Sequence, residues 1–273
     1  FQTGVQALGI VEACHEAQDF RVGDLVYMRM AHGSHQVLPE EQCSPVPADI
    51  DLKQACWCGL AKTAFRAAWA GEFAPGRKVL IIGAGPVGQM AVRWAHALDC
   101  EEIAVADISP ERLAFAERGG ATDLLCGDIC ALMEQISELD NGSGPPLVVD
   151  STGNPAVFQS ALAAATKFGK VILLGDTGFP HRQCLSSDLM TKGLTLQATH
   201  DSHDRDGWTQ RRIDALFFDK LKEGRFPLAG MLSHEFAPQQ CAQAYTLAED
   251  QRQHTMGILF DWTITEDSHV PAT

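Results

Sequence analysis

The sequence predicts an α/β protein built on a parallel β-sheet, and three observations lead to this prediction. From residue 78 onward, six apolar segments of strand length alternate with segments of helical periodicity. The first strand, residues 79–82 (Val-Leu-Ile-Ile), is continuously apolar, as expected for a strand buried on both faces. A glycine-rich segment follows it directly. Because parallel neighbours need crossover connections, this alternation predicts a six-stranded parallel sheet with helices on both faces.

Local signals support the elements of this sheet. Apolar residues spaced by three and four indicate a helix over residues 87–98. The second strand, residues 103–106, ends at Asp107. Ser109-Pro110-Glu111 then supplies an N-cap, a proline at the first helical position and an early acid, which together begin a helix. Further strands are expected at 123–125, 147–149, 171–174 and 194–196, with a helix over residues 129–139.

The segments on either side of this alternation predict a second domain. Strands are expected at 9–13 and 25–28, followed by a helix over 51–69. After residue 197 the alternation stops, with a helix at 213–221 and a strand at 258–260. Neither flank alone is long enough for a core of its own. We therefore predict a cofactor-binding domain over residues 62–196 and a second domain formed jointly by residues 1–61 and 197–273.

Composition excludes several classes of partner. The chain has 273 residues, of which 45% are hydrophobic and 21% charged, the balance of a globular protein. Its formal net charge of −14 repels nucleic acids and anionic membranes, and no run of 18 apolar residues could span a bilayer. The nine scattered cysteines favour reduced thiols and a cytoplasmic location. The opening at Phe1 leads directly into strand-like sequence, so we expect the natural protein to continue before it.

The segment from Gly83 to Gly88 predicts a dinucleotide site. It reads Gly-Ala-Gly-Pro-Val-Gly, between the first strand and the first helix. Gly83 permits a tight turn, Gly85 lets the backbone approach a pyrophosphate, and Gly88 allows the helix to pack on the strand. Pro86 and Val87 complete the motif. The alternative, a glycine-rich turn without a ligand, is disfavoured by the strand and helix around it.

Asp107 predicts which dinucleotide binds. It stands 19 residues beyond Gly88 at the end of the second strand, where a carboxylate accepts hydrogen bonds from the ribose hydroxyls. It also repels a 2′-phosphate, and the next three residues include no arginine, so the cofactor is predicted to be NAD. Arg112 is either a contact to the adenosine ribose or a phosphate, or a solvated helix residue. Further predicted cofactor contacts are Thr63, Thr152, Gly153 and Gly175.

Several motifs together resemble the zinc-type alcohol and polyol dehydrogenases of the medium-chain dehydrogenase/reductase superfamily. They run in order from Gly4 to about Trp262: Phe20 to Val26 is similar to F-x-x-G-D-x-V, residues 37–47 to a proline-punctuated strand, residues 107–123 to D-x-x-x-x-R…G-A-T, and residues 234–236 to H-x-F. The resemblance implies a Rossmann sheet with strand order 3-2-1-4-5-6 and a mixed, GroES-like β-rich catalytic domain. It also implies hydride transfer between an alcohol or carbonyl substrate and the nicotinamide.

The resemblance implies a zinc site that this sequence only partly reproduces. The family's ligands are a cysteine that would precede Phe1, a histidine in G-H-E, and a cysteine or glutamate before the cofactor domain. Here Gly4-Val5-Gln6 stands where G-H-E would stand, and Val5 cannot bind a metal. Cys58 matches the third ligand position, although a buried core cysteine is the alternative. Zinc therefore stays an open question at the level of the sequence.

A second polar cluster, His200-Asp201-Ser202-His203-Asp204, follows the sixth strand. Two histidines three residues apart share a metal or relay a proton if the segment is helical, whereas the alternative is a solvated loop. His234 is interpreted as structural. No general base is assigned, because the family's proton-relay residues lie mainly before the present start.

These observations favour an NAD-dependent dehydrogenase of an alcohol, of the polyol or sugar-like kind. One alternative is a zinc-free quinone or enoyl reductase. Asp107 disfavours this alternative, because such enzymes usually carry basic residues at that position and prefer NADP. Another is a dinucleotide-binding protein without catalysis, which the loss of the histidine at Val5 supports. The sixth strand, residues 194–198, is also compatible with a homo-oligomer formed by pairing at the sheet edge.

Overall fold

The computed structural model describes residues 4–264. Its strands are β1 (Ala7–Ile10), β2 (Leu25–Met28), β3 (Cys43–Pro45), β4 (Lys78–Ile82), β5 (Glu102–Asp107), β6 (Asp123–Cys126), β7 (Leu147–Asp150), β8 (Lys170–Leu173), β9 (Thr195–Ala198), β10 (His234–Phe236) and β11 (Ile258–Phe260). Its α-helices are α1 (Leu52–Ala55), α2 (Cys58–Ala70), α3 (Pro86–Ala97), α4 (Pro110–Arg118), α5 (Met133–Ser137), α6 (Leu139–Gly142), α7 (Pro155–Ala164), α8 (Asp188–Thr191), α9 (Gln210–Lys222) and α10 (Cys241–Asp250).

The central sheet contains six strands in the order β6-β5-β4-β7-β8-β9. Every neighbouring pair in it is parallel. Counted from β4 as the first strand, this is the order 3-2-1-4-5-6, so the predicted topology is confirmed. The order reverses between β4 and β7, and a crevice opens at that point beyond the carboxyl ends of the strands.

Helices cover both faces of this sheet because its central strand is apolar on both faces. Val79 and Ile81 pack with residues of α2 and α3 in one buried cluster. Leu80 and Ile82 face the other way and pack with residues of α7 in a second cluster. Successive side chains of a strand point to opposite faces, so β4 contributes to both cores. None of the helices in residues 4–264 has the length and apolar character needed to cross a lipid bilayer.

The segments that flank the central sheet contact each other. Strands β1, β2 and β3 form an antiparallel sheet, and β10 pairs with β11. Arg211 of α9 donates from Nε to the carbonyl oxygen of Cys43 in β3 over 2.9 Å. Lys53 of α1 pairs with Glu235 of β10 over 2.5 Å. The domain boundaries themselves stay a prediction, and the predicted second domain includes residues 1–3 and 265–273, which lie outside the described residues.

Three predicted elements differ from those observed. The first strand spans Ala7–Ile10 rather than residues 9–13. The helix predicted over 51–69 is divided at Cys56 and Trp57, because the Trp57 N–H bonds to Gln54 three residues back and tightens the turn. The helix predicted over 129–139 is interrupted: residues 129–132 form turns, α5 spans Met133–Ser137, and Leu139 begins the separate short helix α6. Its apolar residues are nevertheless largely buried, since a chain of short turns can also present them to the core.

Trp94 joins the elements that pack on one face of the sheet. It lies on α3, is fully buried, and donates from Nε1 to the carbonyl oxygen of Ala61 in α2 over 2.7 Å. Its ring meets Phe65 and Phe226 edge to face, each at a centroid distance of 5.0 Å. Trp94 therefore links α3 to α2 and to the segment after α9.

We expect Trp94→Ala to lower the free energy of unfolding by about 3–5 kcal/mol, because it removes a large buried ring and a buried hydrogen bond. Trp262→Ala is the matched control, since that ring is 48% exposed, and its effect should stay within about 0.5 kcal/mol. Urea unfolding followed by circular dichroism measures both. Equal midpoints for the two variants would contradict the proposed role of Trp94 in the core.

Candidate functional site

The turn between β4 and α3 has the geometry of a phosphate cradle. Gly83 adopts a positive φ of 93°, which favours glycine. A Cβ added at Gly88 would lie 2.0 Å from the carbonyl oxygen of Gly83, so α3 approaches the turn more closely than any side chain allows. At Gly85 a Cβ would find only Arg112 Nη1 within 4 Å, at 3.9 Å. The space over the first turn of α3 is therefore open, where unpaired N–H groups favour an anion.

Asp107 fixes the position of this turn. Its Oδ2 accepts a hydrogen bond from the backbone N–H of Ala84 over 2.6 Å. Its Oδ1 accepts one from the N–H of Ser109 over 2.8 Å. Each carboxylate oxygen has a further lone pair, and the side chain is partly exposed at the end of β5. Asp107 therefore stands beside the glycine turn with acceptor capacity left for ribose hydroxyls.

Arg112 lies on α4 over the open space at Gly85. Its Nη2 donates to the carbonyl oxygen of Arg252 over 2.6 Å. Beside it is a cavity of about 140 Å³ lined by Glu111, Phe115 and residues 253–256. The segment after α10 thus comes next to the cofactor-binding turn. Sequence reasoning missed it, because residues 252–256 carry no motif and reach this place only through the tertiary fold.

The residues predicted at the ends of β7 and β8 converge on the same turn. The Oγ of Ser151 donates to the carbonyl oxygen of Gly83 over 2.9 Å. A Cβ added at Gly83 would lie 2.9 Å from Thr152 Cγ2. A Cβ added at Gly175 would lie 2.4 Å from the backbone nitrogen of Gly153. Gly83, Thr152, Gly153 and Gly175 therefore meet at the carboxyl edge of the sheet, on both sides of the point where strand order reverses.

Thr152 is itself held by a buried carboxylate. Asp150, the last residue of β7, accepts hydrogen bonds at Oδ1 from the Thr152 backbone N–H over 2.9 Å and from its hydroxyl over 2.7 Å. Burial raises the pKa of Asp150, and the two bonds from Thr152 oppose that shift. The side chain of Thr152 is thereby fixed in orientation at the cleft.

Cys58, at the start of α2, lies in a buried polar cluster. It is fully buried beside Asp214, and burial together with that neighbouring charge raises the pKa of its thiol. Burial also raises the pKa of Asp214, whose Oδ2 accepts a hydrogen bond from Ser44 Oγ over 2.6 Å. The Tyr27 hydroxyl completes the cluster, and burial raises its pKa. These surroundings favour the neutral thiol, which is the weaker form for binding a metal.

The residues described here do not fit the zinc site of the similar dehydrogenases. Val5, at the position of the histidine ligand, has no lone pair and is 56% exposed. Gln6, at the position of the acid, donates from Nε2 to the carbonyl oxygen of Cys56 over 2.7 Å. Within residues 4–264, no three histidine, cysteine, aspartate or glutamate side chains lie close enough together to hold a metal ion. Cys58 thus keeps a donor at the position that the resemblance gives to a ligand, whereas Val5 offers none.

The polar segment after β9 contacts α2 through its aspartates. Asp201 is 7% exposed and pairs with Arg29 and with Lys62 Nζ, the latter over 2.9 Å. Asp204 pairs with the buried guanidinium of Arg66. The two histidines of this segment, His200 and His203, lie in an exposed stretch of turns with ring centroids 5.8 Å apart. Sequence reasoning singled out this loop for its two histidines and did not anticipate the ion pairs of Asp201.

The predicted cofactor contact Thr63 lies on α2 beside Asp201. Its hydroxyl lies 3.0 Å from the carbonyl oxygen of Gly59 and 3.4 Å from Asp201 Oδ1. His234, interpreted as structural, lies on β10, where its Nδ1 is 2.9 Å from Ser233 Oγ.

Comparison with known proteins finds matches among dehydrogenases. The sequence profile of the family described as zinc-binding dehydrogenase matches residues 86–213. Sorbitol dehydrogenase of Bacillus subtilis is 33% identical over 130 residues, which are 48% of this chain and 37% of that protein. The chain spans about half the length of the first curated relatives that it matches, between 37% and 57%.

Solved structures share the fold. An alcohol dehydrogenase from Thermus sp. ATN1 superimposes with a TM-score of 0.80 at 23% identity, covering 94% of this chain and 83% of that one. An alcohol dehydrogenase from Escherichia coli CFT073, complexed with cofactor NADH, gives a TM-score of 0.79 at 20% identity and covers 93% and 82%. At these identities the likeness establishes the fold alone.

The sheet order, the glycine turn and these matches define a class of protein with a dinucleotide-binding fold. Over residues 86–213 the chain is similar to the zinc-binding dehydrogenases, and its fold is that of solved alcohol dehydrogenases.

Two glycine substitutions should separate binding from folding. Gly85→Ala places a methyl group in open space at a φ of −68°, so the free energy of unfolding should change by less than about 1 kcal/mol. The same methyl group stands where a pyrophosphate would lie, so the affinity for NADH should fall about tenfold or more. Gly88→Ala should instead destabilise the protein by about 1–3 kcal/mol, because its methyl group overlaps the Gly83 carbonyl.

Isothermal titration with NADH and urea unfolding of both variants provide the test. Unchanged NADH affinity in Gly85→Ala would contradict the placement of the cofactor over α3.

Proposed function

We propose that this protein binds NAD and transfers a hydride between an alcohol carbon and the nicotinamide ring. The observation that carries the proposal is the position of Asp107, a partly exposed carboxylate hydrogen-bonded to the glycine turn with acceptor capacity to spare. A carboxylate there suits the two free ribose hydroxyls of NAD and opposes the phosphate of NADP. The same residue argues against a quinone or enoyl reductase, which usually carries basic residues there.

The residues of the cleft fit the cofactor in two groups. Gly85 leaves room for the pyrophosphate over the first turn of α3, with Pro86, Val87 and Arg112 around it. Thr152, Gly153, Gly175 and Thr63 would hold the nicotinamide half beyond β7 and β8. When bound, NAD⁺ supplies the hydride acceptor at C4 of its nicotinamide. The contribution of the chain is to bind and orient this ring at the carboxyl edge of the sheet.

We propose a small polyol or sugar-like alcohol, or the corresponding carbonyl compound, as the substrate class. Support comes from the matched relatives, which include the sorbitol dehydrogenases of Bacillus subtilis and Arabidopsis thaliana. A survey of NAD⁺ reduction with such alcohols, using the full-length protein, tests this assignment.

We also propose a cytoplasmic homo-oligomer without a nucleic-acid or membrane partner. All nine cysteines are free thiols, which fits a reducing compartment. Strand β9 is the last strand of the six-stranded sheet, and Thr195 and Ala198 are exposed on it. An exposed strand edge can pair with the same edge of a second copy. Analytical ultracentrifugation would measure the oligomeric state of the protein.

Substitution of Asp107 tests the choice of cofactor. We expect Asp107→Ala to weaken NAD binding by about 1–3 kcal/mol, the range for hydrogen bonds to a charged group. The preference for NAD over NADP should narrow, because the repulsion of the 2′-phosphate is removed as well. Fluorescence titration with both cofactors measures the two affinities. Tighter binding of NADP than of NAD by the wild-type protein would refute the assignment.

Metal analysis tests the altered zinc site. We expect no tightly held zinc that uses the family's ligands, since Val5 cannot coordinate a metal. Elemental analysis measures the zinc content of the desalted full-length protein, of Cys58→Ser and of the matched control Cys56→Ser. One zinc per chain that disappears in Cys58→Ser alone would show the expectation to be wrong.

A further inference from the structure

Asp201 is a buried carboxylate at which three parts of the chain meet. It lies three residues beyond the end of β9 and is 7% exposed. One neighbour is Arg29, which directly follows β2. The others are Lys62, with Nζ at 2.9 Å, and the hydroxyl of Thr63, at 3.4 Å, both on α2. No other carboxylate in residues 4–264 makes ion pairs to two side chains from separate elements and also accepts from a hydroxyl.

The contacts of Asp201 compensate its burial. Removing a carboxylate from water is costly unless it is paired and hydrogen-bonded. Arg29 and Lys62 supply the opposite charges, and Thr63 supplies a hydroxyl. Burial and the guanidiniums of Arg29 and Arg66 lower the pKa of Lys62 to about 8, and the carboxylates of Asp214 and Asp204 act against this shift.

The place of Asp201 in the sheet indicates which half of a dinucleotide it serves. A dinucleotide lies across the carboxyl edge where strand order reverses, between β4 and β7. Asp107, at the end of β5, marks the side of the adenosine ribose. Asp201 follows β9, on the opposite side of the reversal. The nicotinamide half therefore falls on the side where Asp201 holds Thr63 and Lys62.

We propose that Asp201 is a positioning residue for the nicotinamide half of the cofactor, acting through the Thr63 hydroxyl and the Lys62 ammonium. This inference rests on the proposed NAD-binding function. It assigns the ion-paired aspartate, rather than the two neighbouring histidines, as the functional group of the loop after β9. In this arrangement Asp201 holds α2 against the end of β9, so that Thr63 faces the bound ring from a fixed position.

A positioning role and a purely structural role predict different binding patterns. Loss of a structural contact lowers stability and weakens every ligand that needs the fold. Loss of a positioning contact weakens ligands that carry the nicotinamide and spares those that end at the second ribose. NADH and ADP-ribose differ in this way, since they share the adenosine and pyrophosphate parts.

The experiment compares Asp201→Asn with the matched control Asp204→Asn by isothermal titration with NADH and ADP-ribose. Asp204 lies in the same loop and also pairs with a buried cation, Arg66. We expect Asp201→Asn to weaken NADH about tenfold or more and ADP-ribose less than about twofold. Asp204→Asn should leave both affinities within about twofold of the wild type. Thermal unfolding of each variant reports stability separately.

Equal weakening of both ligands in Asp201→Asn, or unchanged NADH affinity, would overturn the positioning role. If Asp201→Asn does not fold, Thr63→Val replaces it, because it removes the hydroxyl without uncovering a buried charge. That variant should show the same selective loss of NADH, and normal NADH binding by it would overturn the proposal. A wild-type protein that binds neither ligand would instead refute the proposed function, and this inference with it.

Discussion

The close approach of helix α3 to the turn after β4 is the constraint on which the rest of the structure depends. It requires glycine at position 88, where any side chain would overlap the carbonyl of Gly83. The approach places the first turn of α3 over the carboxyl end of the sheet, and Asp107 then fixes the turn through the N–H of Ala84. The Gly83 carbonyl oxygen in the same turn accepts a hydrogen bond from Ser151, which follows β7. The turn is therefore held at the ends of three strands, β4, β5 and β7. The crevice that results is therefore a product of backbone geometry as much as of side-chain choice.

Buried polar side chains lie where α2 meets the strands and the helix of the flanking segments. At one end, Cys58, Tyr27, Ser44 and Asp214 form a cluster that favours neutral, protonated groups. At the other, Arg29, Lys62 and Asp201 form a charged group. Ser44 donates to Asp214, and Asp201 pairs with Arg29 and Lys62, and these contacts give the region a defined arrangement.

The sequence was most informative where local pattern and long-range structure agree. The continuous apolar strand at 79–82, the glycine motif and Asp107 predicted the parallel sheet and the position of the turn, because each depends on residues close in the chain, whereas the strand order followed from the family resemblance. The short turns around Ile129 and Leu132 were harder to predict, since burial of an apolar residue does not require a helix. Asp201 was overlooked beside His200 and His203 because the direction of each side chain in an irregular loop depends on the path of the chain. Arg252 carries no signal at all, since its role lies in a backbone carbonyl.

The bond from Arg112 to the carbonyl of Arg252 connects the cofactor-binding turn to a segment 140 residues away in the sequence. A ligand seated at Gly85 would contact the same arginine that holds this segment. The bound ligand would then stabilise both the sheet and the region around β11. Local unfolding of either part would release the ligand. By thermodynamic linkage, a ligand at 100 times its dissociation constant adds about 2.7 kcal/mol against such opening. Saturation with cofactor would therefore slow hydrogen exchange and proteolysis far from the crevice, in the chain between α10 and β11.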